Sequence, residues 1–277
     1  MTRADLTFSP RFLAGGAGNI FVHAVAPRSA GAGDVVVMLP PLFEELNKSR
    51  RMYALQARSF ASRGLIAILP DLYGIGDSEG DISTASLQIW HQDLGSVMQW
   101  VGESVKPHRI HVFGLRAAAL FFEMIDTTVS PVANWVLWSP IERGSRLVRD
   151  LFRQALIVAR NRGDGSITSK ALKERVAAQG YIEISGYRLS ADLLVQLENT
   201  SVAQSVPAHV GVHWFDVRAG LDPGAGVREP ASVGRWRDAG CEVDYRLCEG
   251  PPFWQTAEIS TVAQLVEETT NAIVDKN

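Results

Sequence analysis

A short segment after an apolar run carries the pattern most able to do chemistry, and an arginine holds its key position. Residues 110–113 are apolar and are followed by Gly114-Leu115-Arg116-Ala117-Ala118 and then an apolar stretch of helical character. This order of strand, sharp turn and helix is how many acyl-transfer enzymes present a nucleophilic serine, in the pattern G-x-S-x-G. Arg116 stands where that serine would be, and a guanidinium stays protonated and cannot attack a carbonyl. The sequence therefore predicts the turn without its usual nucleophile.

A dense polar segment at residues 39–52 is the second candidate for chemistry. It contains the adjacent carboxylates Glu44 and Glu45 and follows an apolar run that reads as a strand. Ligands of open α/β sheets bind at the carboxyl ends of the strands, although such a segment can also be only a solvated face. A guanidinium buried in the turn needs a partner, so an ion pair between Arg116 and Glu44 or Glu45 is expected. The ligand-binding candidates in and around these segments are Phe43, Asn47, Arg50, Arg51, Tyr73, Leu115 and Trp254.

Of the two partners that a nucleophilic serine requires, the acid has candidates at its expected place and the histidine has none. The acid should follow the strand at residues 209–216, and Asp216 or Asp222 lies near that point. A histidine should follow the last strand, at residues 243–247, but the last histidine of the chain is His213. The place of that histidine is held by one of three residues, Phe253, Trp254 or Gln255. The pattern therefore lacks two members of a Ser-His-Asp triad.

A glycine-containing turn follows the apolar run at residues 65–69. Residues 71–78 read DLYGIGDS, and the glycines permit a tight, left-handed backbone path. Asp71 and Ser78 are expected to form hydrogen bonds with the loop backbone, so a structural interpretation is favoured over a catalytic one. The histidines lack metal-ligand spacing, and the glycines form neither a P-loop nor a dinucleotide fingerprint. Neither a metal nor a cofactor is expected.

The composition is typical of a globular protein with a large core: 46% of the 277 residues are hydrophobic and 21% are charged. A net charge of −3 argues against a nucleic-acid partner and against a basic membrane-binding patch. The two cysteines, Cys241 and Cys248, flank a predicted strand and are expected to be reduced thiols. The first residues do not read as a signal peptide, and no apolar stretch has the length of a membrane span. A cytoplasmic location follows as an expectation.

The apolar runs predict strands that alternate with helices. Strands are expected at residues 19–26, 34–39, 65–69, 110–113, 135–139, 209–216 and 243–247, and helices around residues 52–60 and at 83–101, 118–126 and 258–274. This alternation favours an α/β fold with an open, mostly parallel central sheet flanked by helices. Residues 141–206 contain no convincing buried strand and look helical. They are expected to form a cap inserted into a core of residues 1–140 and 207–277.

Five segments give the chain a family resemblance: FEELNKSRRM (43–52), DLYGIGDSEGD (71–81), GLRAAAL (114–120), ISGYRLS (184–190) and GPPFWQTAEI (250–259). The chain resembles the α/β-hydrolase superfamily over nearly its whole length. More narrowly, it resembles the second of two hydrolase-like families associated with the exosortase A system of exopolysaccharide-producing bacteria. The resemblance implies the α/β-hydrolase fold with a helical lid, a gene neighbourhood of polysaccharide synthesis and protein sorting, and Arg116 as a feature of the family. The family segment begins with His-Pro, whereas this chain has Pro40-Pro41.

One interpretation of these residues is an atypical enzyme that acts on an ester or a thioester. Arg116 at a helix N-terminus would hold an anionic group of the substrate, because backbone N–H groups and a forked guanidinium both favour anions. Glu44, Glu45 or Asp216 would serve as the base. Ser139 is the nearby serine that could attack.

The other two interpretations are not catalytic. In one, a pocket holds an acyl chain, a glycan precursor or a partner's peptide against aromatic rings, which are Phe43, Tyr73, Trp138, Trp214, Phe253 and Trp254. In the other, Arg116 replaces the serine with an internal salt bridge and leaves no pocket. The expected partner is a small-molecule or acyl ligand, and a homodimer is a further expectation.

Overall fold

The central feature of the fold is an eight-stranded sheet. A computed structural model describes residues 5–29, 33–126, 132–161, 167–202, 204, 206–207, 209–220 and 229–274. The strands of the sheet are β1 (Leu6–Ala14), β2 (Asn19–Pro27), β3 (Val35–Leu39), β4 (Ile66–Pro70), β5 (Ile110–Leu115), β6 (Val132–Trp138), β9 (Gly211–Arg218) and β10 (Val243–Glu249). A separate hairpin is formed by β7 (Tyr181–Ile184) and β8 (Tyr187–Ser190).

The strand order is β1-β2-β4-β3-β5-β6-β9-β10, so that β1 and β10 are the two edges of the sheet. Strand β2 pairs antiparallel with both β1 and β4, whereas the pairs from β4 to β10 are parallel. Parallel strands that are covered on both faces need apolar residues at consecutive positions. The VVVML run of β3 is buried at all five positions, as this requirement predicts.

Helices cover both faces of the sheet. The α-helices of the described residues are α1 (Glu44–Ser62), α2 (Leu87–Trp100), α3 (Gly144–Asn161), α4 (Ser169–Gln179), α5 (Ala191–Glu198), α6 (Ala231–Asp238) and α7 (Ala263–Val274). Met52 and Phe60 of α1 and Leu265 of α7 belong to the core on one face. Trp90 of α2 and Trp236 of α6 belong to the core on the other face. The site therefore lies on a scaffold that is packed from both sides.

The seven predicted strands are confirmed, with small shifts at their ends. The expected helix at residues 118–126 is instead a 3₁₀ helix at Arg116–Met124 that begins at the turn itself. The last helix begins at Ala263 rather than at residue 258, and β9 continues to Arg218. Strand β1 and helix α6 were not predicted.

The segment between β6 and β9 contains α3, α4 and α5, as its helical pattern predicts, and also the unpredicted β7–β8 hairpin. Ser190 caps α5, because its hydroxyl accepts a hydrogen bond from the Leu193 N–H at 3.1 Å. Among the described helices, none combines the length and the apolar character that a membrane crossing requires.

Candidate functional site

The turn after β5 has the backbone of a nucleophile elbow. Arg116 has a φ of 56°, in the left-handed region that residues with a side chain rarely adopt. Gly114 is required before it, because an added Cβ would lie 2.8 Å from the Phe122 ring and 3.0 Å from the Ala118 Cβ. The predicted strand and sharp turn are thus confirmed, with a guanidinium at the position of the nucleophile.

The Arg116 side chain has three partners. Its Nε donates to Glu45 Oε1 at 3.1 Å, and its Nη1 donates to the Ser139 carbonyl oxygen, also at 3.1 Å. Its Cζ lies 5.2 Å from the centroid of the Trp254 ring, which is within cation–π range. The predicted ion pair is therefore confirmed, and Glu45 rather than Glu44 makes it.

Only one of the two carboxylate oxygens of Glu45 takes part in this ion pair. It lies in the first turn of α1, directly after β3, so that the topology brings its carboxylate beside the elbow. The side chain keeps 22% of its exposure, but Oε2 is fully buried and forms no hydrogen bond with the described residues. Burial raises the pKa of Glu45, and the ion pair with Arg116 opposes this shift.

Tyr53 supports the elbow from below and was missed in the sequence. Its hydroxyl donates to the Leu39 carbonyl at 2.8 Å and accepts from the Leu115 N–H at 3.1 Å. It thereby ties the end of β3 to the end of β5, next to Arg116. Burial raises the pKa of Tyr53 well above its ordinary value, so the phenol stays neutral. The sequence signal for this role was the hydroxyl of Tyr53, a polar group next to apolar residues such as Met52 on the buried face of α1.

Helix α3 closes the space above the elbow. The cavity beside Arg116, here called the elbow cavity, has a volume of about 40 Å³. Its lining consists of Leu42, Phe43, Glu44, Glu45, Arg116, Ile141, Leu147, Asp150, Leu151 and Gln154. Water occupies about 30 Å³ per molecule in the liquid, so the elbow cavity has room for little more than one water. It is far smaller than the pockets that bind substrates.

Ser139 has a structural role at this point. It has a φ of 40°, and its N–H donates to the Phe215 carbonyl at 2.8 Å. Its hydroxyl accepts from the Val217 N–H at 2.9 Å, and its carbonyl accepts from Arg116. The residue thus joins β6 to β9 and positions the guanidinium. This arrangement does not favour Ser139 as a nucleophile.

Aromatic residues fill the place where a catalytic histidine would lie. The loop after β10 brings Trp254, which is 5% exposed, against the Arg116 guanidinium. Phe253 is fully buried, and its ring lies 5.1 Å from the Trp254 ring and 5.8 Å from the Trp138 ring. Trp254 is therefore brought to the elbow, as the sequence predicts, while Phe253 and Trp138 belong to the core.

Asp216 is not brought to the elbow cluster. It lies inside β9 rather than after it, because the strand continues to Arg218. The alternation of side chains along a strand places it on the same face as Trp214. Its carboxylate accepts from Trp214 Nε1 and from the Tyr245 hydroxyl, each at 3.0 Å, and lies 3.8 Å from an Arg218 nitrogen. Burial and the nearby Asp216 raise the pKa of Tyr245. The alternative acid, Asp222, lies outside the described residues.

Three of the predicted ligand-binding residues meet in a separate cleft next to the elbow. This polar cleft has a volume of about 230 Å³ and is lined by Phe43, Leu46, Asn47, Arg50, Gly74, Ile75, Gly76, Ile82 and Tyr187. Asn47 Nδ2 donates to the Tyr187 hydroxyl at 2.9 Å, which links α1 to the hairpin. The Phe43 ring lies 5.7 Å from the Tyr187 ring. The cleft thus joins the α1 segment, the glycine turn and the β7–β8 hairpin.

The remaining predicted ligand residues lie at the margins. Arg51 is on the exposed face of α1 and does not line the cleft. The Tyr73 N–H donates to Asp93 Oδ2 at 2.8 Å, and Leu115 is fully buried. The structural interpretation of the 71–78 turn is confirmed, because Asp71 Oδ2 accepts the Asp77 N–H at 2.9 Å and Ser78 Oγ donates to the Asp71 carbonyl at 2.6 Å.

A metal centre has no basis in the described part of the chain, where no group of three or more histidine, cysteine, aspartate or glutamate side chains could hold an ion. Both cysteines are free thiols, as predicted, and burial raises the pKa of Cys248 to about 12. That thiol stays protonated at neutral pH and is a poor nucleophile.

Comparison with known proteins gives matches at the level of the fold. No family model and no curated protein sequence matches the chain. Among solved structures, Est1E from Butyrivibrio proteoclasticus with bound ferulic acid is similar, with a TM-score of 0.64 and 10% identity over 96% of this chain and 98% of that one. Alpha/beta hydrolase domain-containing protein 10 from mouse has a TM-score of 0.62 and 14% identity over 97% and 100%. Epoxide hydrolase A from Mycobacterium thermoresistibile has a TM-score of 0.56 and 14% identity over 97% and 98%. Together with the strand order and the elbow, these similarities show that the chain has the α/β-hydrolase fold.

Proposed function

We propose that this α/β-hydrolase-fold protein does not use Ser-His-Asp catalysis and instead binds a small anionic ligand in the polar cleft. The observation that carries the proposal is the contrast between two neighbouring spaces. The elbow cavity measures about 40 Å³ and is lined by the Arg116–Glu45 ion pair, whereas the polar cleft measures about 230 Å³ and is lined by the predicted ligand residues Phe43, Asn47 and Arg50. Fold similarity alone does not assign an activity.

The elbow supports the non-catalytic part of the proposal. A serine protease-like sequence of steps needs a nucleophile, a base and an acid in one chain of hydrogen bonds. Here Arg116 and Trp254 hold the first two positions, and the carboxylate of Asp216 bonds to Trp214 and Tyr245 instead. The guanidinium is also engaged on three sides, which leaves no room for an acyl group.

The polar cleft supports the binding part. Arg50, whose charge also interacts with Asp71, supplies a forked cation suited to a phosphate or a carboxylate. The Asn47 amide and the Tyr187 hydroxyl supply further polar groups. The Phe43 ring offers an apolar wall. The cleft lies between α1 and the hairpin of residues 181–190, and we include in the proposal that residues 141–206 form a cap on a core of residues 1–140 and 207–277.

A sugar phosphate is a suitable probe, because its phosphate suits Arg50 and its hydroxyls suit Asn47 and Tyr187. Isothermal titration with glucose-6-phosphate is expected to show saturable binding, and Arg50→Gln is expected to weaken it by about tenfold or more, as for other hydrogen bonds to a charged group. Arg51→Gln is the matched control, because it removes a neighbouring exposed cation of the same helix. Equal binding of glucose and its phosphate, or equal effects of the two variants, would contradict the proposal.

A second candidate function is favoured by one observation at the elbow. The buried Oε2 of Glu45 has no hydrogen-bond partner among the described residues, and burial raises the pKa of this carboxyl. Such a group suits a general base that activates water, and it makes an unconventional ester or thioester hydrolase the alternative to a binding protein.

The two candidates are separated by assays with p-nitrophenyl esters of short and long acids and with acyl thioesters. The wild type is compared with Arg116→Ala, Glu45→Ala and Ser139→Ala. The binding proposal expects no turnover above buffer for any of the four proteins. Turnover that Glu45→Ala abolishes would establish the hydrolase. Turnover that is indifferent to all three substitutions would indicate either a contaminant or an active site elsewhere in the protein.

The association with exosortase and exopolysaccharide synthesis is the third part of the proposal. It is supported by the five sequence segments that resemble the exosortase-associated family, including the arginine in GLRAAAL. A deletion of the gene in its source bacterium is expected to reduce the yield of exopolysaccharide. Complementation with Arg50→Gln is expected to fail if the polar cleft carries the function, and an unchanged yield in the deletion strain would contradict the association.

A further inference from the structure

A third cavity lies away from the elbow and has no role in its chemistry. It lies on the α1 side of the sheet, where β2 and β4 face the helix, and has a volume of about 260 Å³. At about 30 Å³ per water, that volume corresponds to roughly nine waters. The residues that matter for its chemistry are Phe8, His23, Val25, Ala57, Arg58 and Leu69. This space is called the β2 cavity below.

One wall of the β2 cavity is a stack of flat rings. The Phe8 and His23 rings have centroids 6.1 Å apart and an interplanar angle of 24°, and the Phe21 and His23 rings are 6.5 Å apart at 15°. The facing wall comes from α1 and includes Ala57, whose small side chain leaves the space open. Flat aromatic and aliphatic walls of this kind favour the apolar body of a ligand.

The charges at the two ends of the β2 cavity are not equally matched. At one end, Arg50 interacts electrostatically with Asp71, whose carboxylate also accepts the Asp77 N–H. At the other end, Arg58 lies over the Phe8 ring, with 5.9 Å from Cζ to the centroid. Arg58 forms no ion pair or hydrogen bond with any residue in the described ranges. A guanidinium without a carboxylate partner beside an apolar cavity favours an anion from outside.

His23 adds a directional donor beside that cation. Burial and the charge of Arg58 both lower the pKa of His23, so the imidazole is neutral at physiological pH. A neutral imidazole carries one N–H and can donate it to a carboxylate without adding a second charge. The cation and the N–H thus lie together beside the apolar walls, and the other charged residues that line the cavity are Arg50, Asp71 and Asp77.

We propose that the β2 cavity binds a small organic carboxylate with an aromatic or short aliphatic body. The carboxylate would lie between Arg58 and His23, and the body between Phe8, Val25, Ala57 and Leu69. This proposal does not involve Arg116, and although Leu46 and Arg50 line both the β2 cavity and the polar cleft, it rests on a different cation, Arg58.

Hydrocinnamate is a probe of suitable size, and hydrocinnamyl alcohol is its uncharged match. Titration followed by ligand-observed NMR is expected to give saturable binding of the acid at about 1 mM or below. The alcohol and the Arg58→Gln variant with the acid are each expected to bind about tenfold more weakly, as for the loss of a hydrogen bond to a charge. Ala54→Phe, at the half-buried mouth of the β2 cavity, is expected to abolish binding. Arg153→Gln on α3 serves as the control.

Three results would overturn the proposal: no saturable binding of the acid, equal binding of the acid and the alcohol, or an unchanged affinity in Arg58→Gln. Circular dichroism establishes that each variant is folded before it is titrated. Arg50→Gln is expected to weaken the binding of glucose-6-phosphate more than the binding of hydrocinnamate. Arg58→Gln is expected to weaken the binding of hydrocinnamate more than the binding of glucose-6-phosphate. The two ligand proposals can therefore fail separately.

Discussion

The elbow cavity and the β2 cavity each have an arginine beside them, and the two arginines differ in how the protein pairs them. At the elbow, Arg116 has a carboxylate, a carbonyl and an aromatic ring as partners, and about 40 Å³ of space remains. In the β2 cavity, Arg58 has an aromatic ring but no carboxylate among the described residues, and about 260 Å³ remains. The space beside the paired Arg116 is therefore small, and the space beside Arg58 is much larger. The comparison predicts that a ligand of this protein binds away from the elbow, where the fold usually places its nucleophile.

The largest effect is expected from the ring that seals the elbow. Trp254→Ala removes a side chain that is 5% exposed and contacts both Phe253 and Arg116. A loss of about 3 kcal/mol in the free energy of unfolding is expected, because truncating a buried tryptophan leaves a cavity. Urea denaturation measures this loss, and Trp254→Phe should lose clearly less. A loss below about 1 kcal/mol for Trp254→Ala would show that the ring is not packed as described.

The next effect is expected at the ion pair. Arg116→Ala leaves the buried Glu45 carboxylate unpaired. The free energy of unfolding is expected to fall by about 2 kcal/mol at pH 7, less than for a fully buried ion pair, because this pair keeps some exposure. Burial already raises the pKa of Glu45, and loss of the cation raises it further, so the folded variant binds the proton more tightly than the unfolded chain. The deficit relative to wild type should therefore shrink as the pH falls through that raised pKa.

Urea denaturation of both proteins at about pH 7 and about pH 5 measures this difference. The double variant Arg116→Ala/Glu45→Gln is the control, because a neutral amide needs no cation. It should be more stable than Arg116→Ala alone. A deficit that is independent of pH, together with additive losses in the double variant, would show that the pair is not coupled.

A smaller effect is expected below the elbow. Tyr53→Phe removes the hydroxyl that bonds to the Leu39 carbonyl and the Leu115 N–H, both of them buried. The expected loss is about 1.5 kcal/mol, because two backbone groups are left without this partner. Tyr73→Phe is the matched control, since its hydroxyl makes a more exposed contact with Thr84 at 3.2 Å. Equal losses in the two variants, measured by thermal unfolding, would contradict the bridging role.

The smallest effect on stability is expected in the β2 cavity. Arg58→Gln removes an exposed cation whose described contact is the Phe8 ring, so a loss of at most about 0.5 kcal/mol is expected. The same substitution is expected to have a large effect on carboxylate binding. A stability loss above about 1 kcal/mol in urea denaturation would mean that Arg58 is matched within the protein, as Arg116 is, and would remove the contrast between the two cavities.

Much of the sheet could be predicted from the sequence, because buried parallel strands require uninterrupted apolar runs such as DVVVML. Strand β1 was not predicted, because Pro10 and Arg11 interrupt its apolar residues and six of its nine positions are exposed. The β7–β8 hairpin was not predicted, because each of its strands has only four residues, although Ser185 and Gly186 mark the turn between them. Such short elements gain their stability from tertiary packing rather than from local preference.

One part of the site could also be predicted from the sequence, and another part could not. The pairing of Arg116 with a carboxylate follows from the cost of a buried charge, so it could be derived from residue types alone. The position of Asp216 could not, because β9 ends two residues later than its apolar pattern suggests and the aspartate consequently lies within the strand. The separation of Arg50 from Arg116 depends on where α1 crosses the sheet, which no local pattern encodes.

The two edge strands limit how this sheet can associate. Strand β1 carries Pro10, which offers no N–H to an added strand, and the charged Arg11 beside it. Strand β10 carries Asp244, Arg246 and Glu249 along the opposite edge. Charges and proline at an edge discourage the growth of a continuous sheet from one molecule into the next. A homodimer of this chain, if it forms, is therefore expected to pack through helices, and concentrated solutions should resist edge-to-edge aggregation.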